Sequence, residues 1–430
     1  MNRIAQLFTA FAIAALVGIS APLPASAAPD SSLGVVAVAA GGDGVNGHTC
    51  AILSDESMWC WGNNNYGQLG DPALDSVATN PLPIKVVGDH HWAAFDQGRA
   101  HTCGVDTDGA LWCWGLNSTG QLGINVPSGY VWYSMPLQVG TDTNWRGVTG
   151  LSDHTCAIKT TGTIWCWGYG DARLGIGPTP GDQIVPAQVG TDTDWAVIDA
   201  GQDMTCATKT NGTLWCWGHL DPADWSNVTS YPTQIGTSTT NGWVGAGTYA
   251  ACTIGKNTAH ALRCYGHNDE GQGGNAVVDR SDLSEVTGGG SWISAGLGYV
   301  HTCAVKSNKT LWCFGDNAFN QLGIGAGAGT ATPTAVGTDK KWIAVDSGFY
   351  HSCGITTGND LYCWGNNTTG QIGDGSYDSR VTPVLVIDGA ALPSTNSSAD
   401  TQRAMVLAQL ALLSVLAAFA LRYQRSRSAN

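Results

Sequence analysis

The sequence predicts an all-β fold, a seven-bladed β-propeller with one disulfide inside each blade, followed by a C-terminal transmembrane helix. The propeller is predicted because a phrase of about 50 residues holding two cysteines recurs seven times. Within the phrase, alternating apolar residues flank a turn, which is the signature of a β-hairpin. The helix is predicted because residues 404–421 carry no charge. Glycine contributes 58 of 430 residues and charged residues only 12%, which excludes a charge-driven disordered chain.

Residues 1–27 are predicted to be a secretory signal peptide. Arg3 supplies a positive start, residues 4–19 are apolar, and residues 25–27 form an A-x-A cleavage site. A retained membrane helix is the alternative, and it is disfavoured by Pro22, Pro24 and the small-residue site that follows them. The exported domain is therefore expected to begin at residue 28 and to extend to residue 390.

All fourteen cysteines fall into seven pairs, six with C-x9-C spacing and the fifth with C-x11-C. In a hairpin both spacings place the two cysteines of a pair opposite each other, close enough for a disulfide. Metal binding is the rival interpretation, but His-x-Cys with one distant cysteine gives only three ligands per repeat. The predicted pairs are Cys50–Cys60, Cys103–Cys113, Cys156–Cys166, Cys206–Cys216, Cys252–Cys264, Cys303–Cys313 and Cys353–Cys363.

The spacing also predicts the turn between the paired cysteines. If Cys103 lies opposite Cys113, the loop is centred on Asp108 and has an odd number of residues. A three-residue loop, residues 107–109, then places Gly109 where positive φ is needed.

Two further strands per repeat are expected before each hairpin. One contains a Pro-x-x-Val phrase such as residues 333–336, and the other begins with Trp, as at residues 342–347. Four short strands per repeat are typical of a propeller blade. The chain opens on the second type at residues 34–40 and closes with a spare strand of the first type at residues 383–387. We therefore expect the last strand to pair into the first blade, closing the ring and bringing the termini together.

The repeat ends in W-C-W-G-x-N-x-x-G-Q-L-G, as at residues 112–123. Over residues 34–390 it resembles the regulator-of-chromosome-condensation family. The resemblance implies a seven-bladed propeller that binds proteins through loops at one face. Family members include a nuclear guanine-nucleotide exchanger and a plant ultraviolet-B photoreceptor. The first activity does not suit an exported chain, and the second needs a tryptophan cluster at a charged dimer face.

Residues that recur in most blades are assigned to structure. The tryptophans of the W-C-W-G phrase are expected in the core: Trp112, Trp114, Trp165, Trp167, Trp215 and Trp217. Five histidines precede a first cysteine by two residues and are expected to form structural hydrogen bonds: His48, His101, His154, His301 and His351. No catalytic motif is present, no acid stands out as converging on the central channel, and neither cofactor nor metal is expected. A hydrolase is therefore the least favoured function.

Candidate binding residues are sought where the repeat is broken, since packing does not dictate those positions. After Trp217-Gly218, the N-x-x-G-Q-L-G phrase is replaced by a segment containing Asp221, Asp224 and Trp225, an aromatic residue between acids. The fifth repeat carries Asp269 and Glu270, and an insertion in the second carries Tyr130 and Trp132. Drift in a decaying repeat is the alternative explanation.

The net charge limits the partners. Residues 28–403 hold all 33 acidic and 15 of the 19 basic residues, a net charge of −18. Such a surface repels nucleic acid and anionic lipid and attracts cationic partners. We therefore expect a monomeric, surface-anchored propeller without catalytic activity that binds an unidentified protein. A carbohydrate-binding, lectin-like propeller is the alternative, and it predicts similar aromatic pockets in several blades.

The C-terminal segments are expected to anchor this domain. Residues 391–403 form a linker, residues 404–421 a transmembrane helix, and residues 422–430 a basic tail on the cytoplasmic side. Residues 392–396, LPSTN, resemble a sortase signal in which Asn396 replaces the usual glycine. A Pro/Ser/Asn-rich linker that contains LPST by chance is the favoured interpretation.

Overall fold

The computed structural model describes residues 33–129, 131–178, 181–220, 228–248, 250–276 and 280–389. They form seven antiparallel sheets, and each sheet consists of four strands that are consecutive along the chain. The seven-bladed propeller predicted from the repeats is thereby confirmed. Blades 1 to 3 contain β1 (Val35–Gly41), β2 (His48–Leu53), β3 (Met58–Asn63), β4 (Thr79–Lys85), β5 (Trp92–Gln97), β6 (His101–Asp106), β7 (Leu111–Leu116), β8 (Trp132–Gln138), β9 (Trp145–Thr149), β10 (His154–Lys159), β11 (Ile164–Gly168) and β12 (Gln183–Gln188).

Blades 4 to 7 follow the same order. Their strands are β13 (Trp195–Ala200), β14 (Met204–Lys209), β15 (Leu214–His219), β16 (Val228–Ile235), β17 (Asn241–Ala246), β18 (Ala250–Gly255), β19 (Leu262–Gly266), β20 (Arg280–Glu285), β21 (Trp292–Leu297), β22 (His301–Lys306), β23 (Leu311–Gly315), β24 (Thr330–Val336), β25 (Trp342–Ser347), β26 (His351–Thr356), β27 (Leu361–Gly365) and β28 (Arg380–Ile387). Two short 3-10 helices, Pro72–Leu74 and Ala172–Leu174, lie between the third and fourth strands of blades 1 and 3.

The order of strands within a blade differs from the expectation. Each blade starts with the strand type that is Trp-led in blades 2, 3, 4, 6 and 7 and ends with the strand type to which the Pro-x-x-Val phrase belongs, so the hairpin lies in the middle of the sheet. The last strand, β28, pairs with β27 in blade 7, and its predicted pairing into the first blade was wrong. No strand is missing from blade 1, because the chain opens on the first strand of one sheet and closes on the fourth strand of another.

Contacts between complete sheets close the ring. The backbone N–H of Val35 in blade 1 donates to the carbonyl of Asn359 in blade 7 at 2.9 Å. The N–H of Ala40 donates to the carboxylate of Asp346 at 2.8 Å. Closure therefore uses the same kind of inter-blade contact that joins the other blades, without strand exchange.

All seven predicted disulfides are present, each within its own blade. The two cysteines of each pair are direct partners in the hairpin register, as Cys103 is of Cys113, with Cα atoms 4.0–4.1 Å apart. The predicted three-residue turn is also confirmed, because Asp106 donates to the carbonyl of Ala110 and Gly109 has φ +80°. In blade 6 a non-glycine residue, Lys309, adopts the same conformation with φ +69°.

The tryptophans of the W-C-W-G phrase fill the spaces between blades. Trp114, Trp167 and Trp217 are completely buried, and each indole N–H donates to a main-chain carbonyl of the preceding blade at 2.7–3.0 Å. The core prediction is thus confirmed for the second tryptophan of the phrase. The first tryptophan, at Trp112, Trp165 and Trp215, is half-buried and packs at the edge of the same clusters.

The five repeated histidines link neighbouring blades, as the expectation of structural hydrogen bonds required. His101 Nε2 lies 2.8 Å from Oγ1 of Thr155, and that hydroxyl donates its only proton to the carbonyl of Gln121. The imidazole must therefore donate through Nε2, which leaves Nδ1 without a proton. We call this contact a histidine bridge; the others are His48–Thr102, His154–Thr205, His301–Ser352 and His351–Thr49.

Blade 5 lacks a histidine bridge on both sides. Blade 4 has Met204 at the histidine position and blade 5 has Ala251 at the hydroxyl position, so both partners are replaced at one junction. At the other junction Ala250 replaces the histidine, although Thr302 of blade 6 is retained. The five bridges therefore join blades 6, 7, 1, 2, 3 and 4 in succession and leave out blade 5.

The predicted termini lie outside the described residues. This applies to the signal peptide at 1–27, the linker at 391–403, the transmembrane helix at 404–421 and the tail at 422–430. In the part of the chain that the structure does describe, no helix has the length and apolar character needed to cross a bilayer.

Candidate functional site

The two ends of the sheets carry different loops. The turns between the first and second strands and the loops between the third and fourth strands emerge at one end, which we call the loop face. The cysteine hairpin turns emerge at the opposite end, the turn face. The candidate binding residues that the structure describes, Trp132, Asp269 and Glu270, lie in connections between third and fourth strands or at their ends, and therefore at the loop face.

The structure locates three of the seven candidate residues. Trp132 begins β8 at the loop face, and its side chain is 48% exposed. Asp269 and Glu270 lie together between β19 and β20. Asp221, Asp224, Trp225 and Tyr130 lie outside the described residues, so they remain predictions.

Asp269 and Glu270 line a cleft of about 250 Å³ between blades 5 and 6. Asp316 and residues 329–331 of blade 6 also line it. The carboxylate of Asp269 lies 3.0 Å from Nε2 of His267. The carboxylate of Asp316 accepts from Ala318 N at 3.1 Å and from Gln321 Nε2 at 2.8 Å. No lysine or arginine whose side chain the structure describes, which leaves out Arg280, forms an ion pair with Glu270 or Asp316. We call this feature the acidic cleft.

Beside the acidic cleft, four aromatic side chains of blades 6 and 7 form a contiguous group, which we call the aromatic cluster: Tyr299, Phe319, Phe349 and Tyr350. Tyr299 stacks on Phe349 with ring centroids 4.2 Å apart, and Phe319 stacks on Tyr350 at 4.1 Å. Tyr350 joins the two pairs through an edge contact with Phe349 at 4.8 Å. Phe319 is 41% exposed and the other three are half-buried, so the cluster presents ring surface to solvent.

Carboxylates lie near the aromatic cluster. Burial, together with Tyr299, Asp316 and Asp43, raises the pKa of the Tyr350 hydroxyl above its ordinary value. Asp43 belongs to the first turn of blade 1, where it accepts backbone N–H bonds from Val45 and Asn46. The cluster is therefore an apolar surface in a negative field.

Sequence reasoning missed the aromatic cluster because three of its members occupy a regular part of the repeat. Tyr299, Phe349 and Tyr350 stand between the glycine and the histidine of the G-x-x-H-x-C phrase. The same positions hold Arg99-Ala100 in blade 2 and Ser152-Asp153 in blade 3. A change from polar to aromatic side chains at one repeat position was the available signal.

Blades 3 and 4 present an acidic and aromatic loop face that carries its own cation. Arg173 pairs with Asp171 at 2.7 Å and lies 3.5 Å from Asp203. Its guanidinium also lies 5.0 Å from the ring centroid of Tyr169, within cation–π range. These neighbours outweigh burial, so the pKa of Arg173 is raised while that of Asp171 is lowered.

Blade 2 supplies a second internal cation. The Arg99 guanidinium lies 2.9 Å from the carboxylate of Asp153 in blade 3 and 3.8 Å from that of Asp43 in blade 1. In blade 7, Arg380 is likewise paired internally, with Asp374. These arginines contact acids outside the acidic cleft and the aromatic cluster.

Three aspartates do converge on the central channel, contrary to the sequence expectation. Asp96, Asp199 and Asp346 occupy the same position of the first strand, opposite the first cysteine, in blades 2, 4 and 7. Together they line a space of about 40 Å³. The sequence signal was a W-x-x-x-D phrase in three of the Trp-led strands.

The channel aspartates serve as acceptors for the next blade. Asp96 accepts from Gly150 N at 3.1 Å, and Asp199 accepts from Ala246 N at 2.7 Å. Burial is the main cause that raises the pKa of all three carboxyls, to about 7 for Asp199 and about 6 for Asp346. Their hydrogen bonds hold neighbouring first strands together.

No group of three or more His, Cys, Asp or Glu side chains within the described ranges is arranged to hold a metal ion.

Comparison with known proteins identifies the family. Two models of the regulator of chromosome condensation (RCC1) repeat match the chain, one at residues 35–68, 92–121, 150–172, 292–321 and 342–371, the other at 55–105, 108–158 and 310–355. The chain belongs to the RCC1-repeat family. The matched residues leave a gap at 173–291, which contains blades 4 and 5. These are the blades in which the sequence departs most from the repeat.

Curated relatives share part of the RCC1-repeat domain. The ultraviolet-B receptor UVR8 of Arabidopsis thaliana is 25% identical over 316 residues, which cover 70% of this chain and 58% of that protein. The probable E3 ubiquitin-protein ligase HERC6 of Homo sapiens is 32% identical over 148 residues, which cover 32% of this chain and 14% of that protein. The chain therefore spans less than two thirds of the length of either relative.

Solved structures show the same RCC1-repeat fold. Human WBSCR16 superposes with a TM-score of 0.66 at 17% identity, covering 77% of this chain and 93% of that one. Prp20p from Saccharomyces cerevisiae gives 0.65 at 18% identity, covering 77% and 85%.

Proposed function

We propose that this RCC1-repeat propeller is exported, anchored at the cell surface and used to bind a protein partner, without catalytic activity of its own. The observation that carries the proposal is the juxtaposition of the acidic cleft and the aromatic cluster on the loop face. A cleft beside exposed aromatic rings gives a partner both a recess and anchoring surface, the combination from which binding energy at protein interfaces is mainly drawn.

Similar propellers support a binding role. Yeast RCC1 (Prp20), a propeller of the same fold, has been solved bound to Kap60, and Prp20p of Saccharomyces cerevisiae has binding properties towards Gsp1p and histones. Those partners are properties of those proteins. Transferred to this chain, they favour protein binding as the kind of activity and leave the partner to be identified.

The disulfides support export. Fourteen paired cysteines with no free cysteine suit an oxidising compartment, whereas the cytosol keeps thiols reduced. The fold also occurs in an extracellular setting, since the ectodomain of the Physcomitrella patens receptor kinase CR4 superposes with a TM-score of 0.50 at 19% identity, covering 77% of this chain and 74% of that one. Both observations agree with the signal peptide predicted at residues 1–27.

The channel aspartates support the absence of catalysis. Each carboxylate is already committed to a backbone donor of a neighbouring blade. A catalytic role would require these groups to leave contacts that hold the ring together.

The binding function is tested by capture followed by measurement with purified components. Oxidised protein is used to capture extracellular proteins from its native habitat, and any captured protein is purified and titrated by calorimetry. We expect affinity to fall at least tenfold in a Phe319→Ala variant and to stay unchanged in a Tyr231→Ala variant. Tyr231 is 60% exposed on the fourth strand of blade 4, away from the site.

Two results would contradict the proposal. Equal affinity of the two variants would show that the partner does not use the aromatic cluster. Capture of glycans without proteins, lost in the Phe319→Ala variant, would instead establish the carbohydrate-binding alternative.

Export and anchoring need separate tests. N-terminal sequencing of the mature protein is expected to give Ala28, and truncation after residue 403 is expected to release the domain into the medium. An N-terminus at Met1, or equal retention of the truncated and full chains, would overturn this part of the proposal.

A further inference from the structure

We infer that the acidic cleft and the aromatic cluster form a binding site for a guanidinium group, supplied by an arginine side chain of the partner protein. The inference rests on the proposed protein-binding function and narrows it to a ligand class.

In blades 3 and 4, the loop face already binds a guanidinium. Arg173 there contacts one aromatic ring, Tyr169, and two carboxylates, Asp171 and Asp203. Because a guanidinium is planar, it can stack on a ring while its edge donates to carboxylates. This contact shows which combination of groups suits a guanidinium on this scaffold.

In the acidic cleft and the aromatic cluster, the same combination of rings and carboxylates is present, and the one described loop-face arginine of blades 5 to 7 that forms an ion pair, Arg380, is paired with Asp374 instead. Aromatic rings are supplied by Phe319 and Tyr350, and carboxylates by Asp316 and Glu270. Among the arginines and lysines whose side chains the structure describes, none lies over a ring of the aromatic cluster or pairs with Asp316 or Glu270. An exposed stacked ring pair beside uncompensated carboxylates is complementary to a cation that stacks.

The chain's charge favours a cationic occupant over the alternatives. With a net charge of −18 over residues 28–403, the domain attracts basic segments and repels anionic lipid and nucleic acid. Arginine suits the site better than lysine because its charge is spread over a plane and more weakly hydrated, so less solvation is lost on stacking.

The test uses the full-length oxidised protein and two fluorescein-labelled heptapeptides, Gly-Arg-Gly-Arg-Gly-Arg-Gly and the same peptide with citrulline in place of arginine. Citrulline keeps the shape and removes the charge. Fluorescence anisotropy at about 50 mM salt is expected to show at least tenfold tighter binding of the arginine peptide.

Variants then locate the site. Tyr350→Leu, which keeps an apolar side chain, and Asp316→Asn, which keeps an acceptor for Ala318 N, are each expected to weaken the arginine peptide three- to tenfold. Asp108→Asn removes the same charge from an exposed turn on the opposite face and is expected to have little effect. The urea midpoint of each variant is measured alongside, so that loss of folding is recognised directly.

Three results would overturn the inference: equal binding of the arginine and citrulline peptides, equal weakening by Asp108→Asn and Asp316→Asn, or unchanged binding in a folded Tyr350→Leu variant. Failure here is distinguishable from failure of the proposed function. A captured protein whose affinity depends on Phe319 would leave that function standing even if neither peptide binds.

Discussion

Replacing one bridging histidine by methionine is expected to destabilise the protein at pH 8 and to stabilise it at pH 5. In the His301 bridge, Nε2 donates to Oγ of Ser352 at 2.8 Å, and burial lowers the pKa of His301 to about 3. Its Nδ1 is buried without a partner among the described residues, so a second proton there would find no acceptor. Methionine is a compatible replacement because Met204 occupies the same position, fully buried, in blade 4.

The magnitude follows from two opposing contributions. At pH 8 the His301→Met variant loses one buried hydrogen bond, which costs about 1 kcal/mol. As the pH falls below 6.5, His301 is protonated in the unfolded chain but stays neutral in the folded protein. The free energy of unfolding of the wild type therefore decreases until the pH reaches the folded pKa of about 3. At pH 5 this loss is about 2 kcal/mol, at about 1.4 kcal/mol per pKa unit. The variant is therefore expected to be about 1 kcal/mol less stable at pH 8 and about 1 kcal/mol more stable at pH 5.

Urea unfolding with intact disulfides, followed by emission of the 18 tryptophans, measures both differences. The two curves should cross near pH 6. Ser352→Ala is the control, because it removes the acceptor and keeps the histidine, so it should destabilise the protein at both pH values. Equal destabilisation by His301→Met at pH 8 and pH 5 would refute the claim that folding requires the neutral imidazole.

Three other outcomes test the channel, the turns and the disulfides. Asp199→Asn should stabilise the protein by up to roughly 4 kcal/mol at pH 8 and should have no stabilising effect at pH 3. The reason is that Asp199 has a pKa of about 7 in the folded protein and 3.8 in the unfolded chain, so its ionisation lowers the free energy of unfolding as the pH rises above 3.8. An effect of equal size at both pH values in urea titrations would contradict this. Lys309→Gly should raise the free energy of unfolding by about 0.5–1 kcal/mol, because glycine adopts positive φ without strain. Gly109→Lys should lower it by more, because the new Cβ would meet the carbonyl oxygen of Thr143. Calorimetry of the two variants checks both signs. Reduction removes about 3 kcal/mol per ten-residue disulfide loop, so circular dichroism should show that the fully reduced protein does not fold, and a native spectrum would contradict it.

The disulfide and hairpin predictions succeeded because they depend on parity. Cys103 and Cys113 can face each other only if the loop between them has an odd number of residues, and the two extra residues between Cys252 and Cys264 preserve that condition. The position of the last strand was harder to infer. A sequence repeat has no intrinsic starting point, so residues 383–387 can equally begin a phrase or end one. Only the loops that connect each third strand to its fourth decide, and their lengths carry no clear signal.

The candidate site was predicted in part. Asp269 and Glu270 stood out because they interrupt a repeated phrase, and the structure places them in the acidic cleft. Tyr299 and Tyr350 did not stand out, because they fill an ordinary position of an unbroken phrase. Their proximity arises from the ring geometry, which brings the same turn of blades 6 and 7 side by side, and no spacing within one repeat encodes that contact.

The missing histidine bridges suggest why the acidic cleft lies where it does. Blade 5 has no bridge on either side, and the cleft occupies its junction with blade 6. We infer that the loops of this junction are under weaker structural constraint than those of the bridged junctions, so that residues such as Asp269 can depart from the repeat.

This argument can be tested by restoring one bridge with Ala250→His. Thr302 still donates to the carbonyl of Gln272 at 2.8 Å, so its hydroxyl is oriented to accept from an imidazole. Gly247 is also retained, and in the bridged blade 6 the equivalent Gly298 gives the histidine ring its space. The variant should gain about 1 kcal/mol at pH 8 and lose that gain by pH 5. A pH-independent change in its urea midpoint would mean that the junction cannot form a bridge and that blade 5 diverged because of its packing.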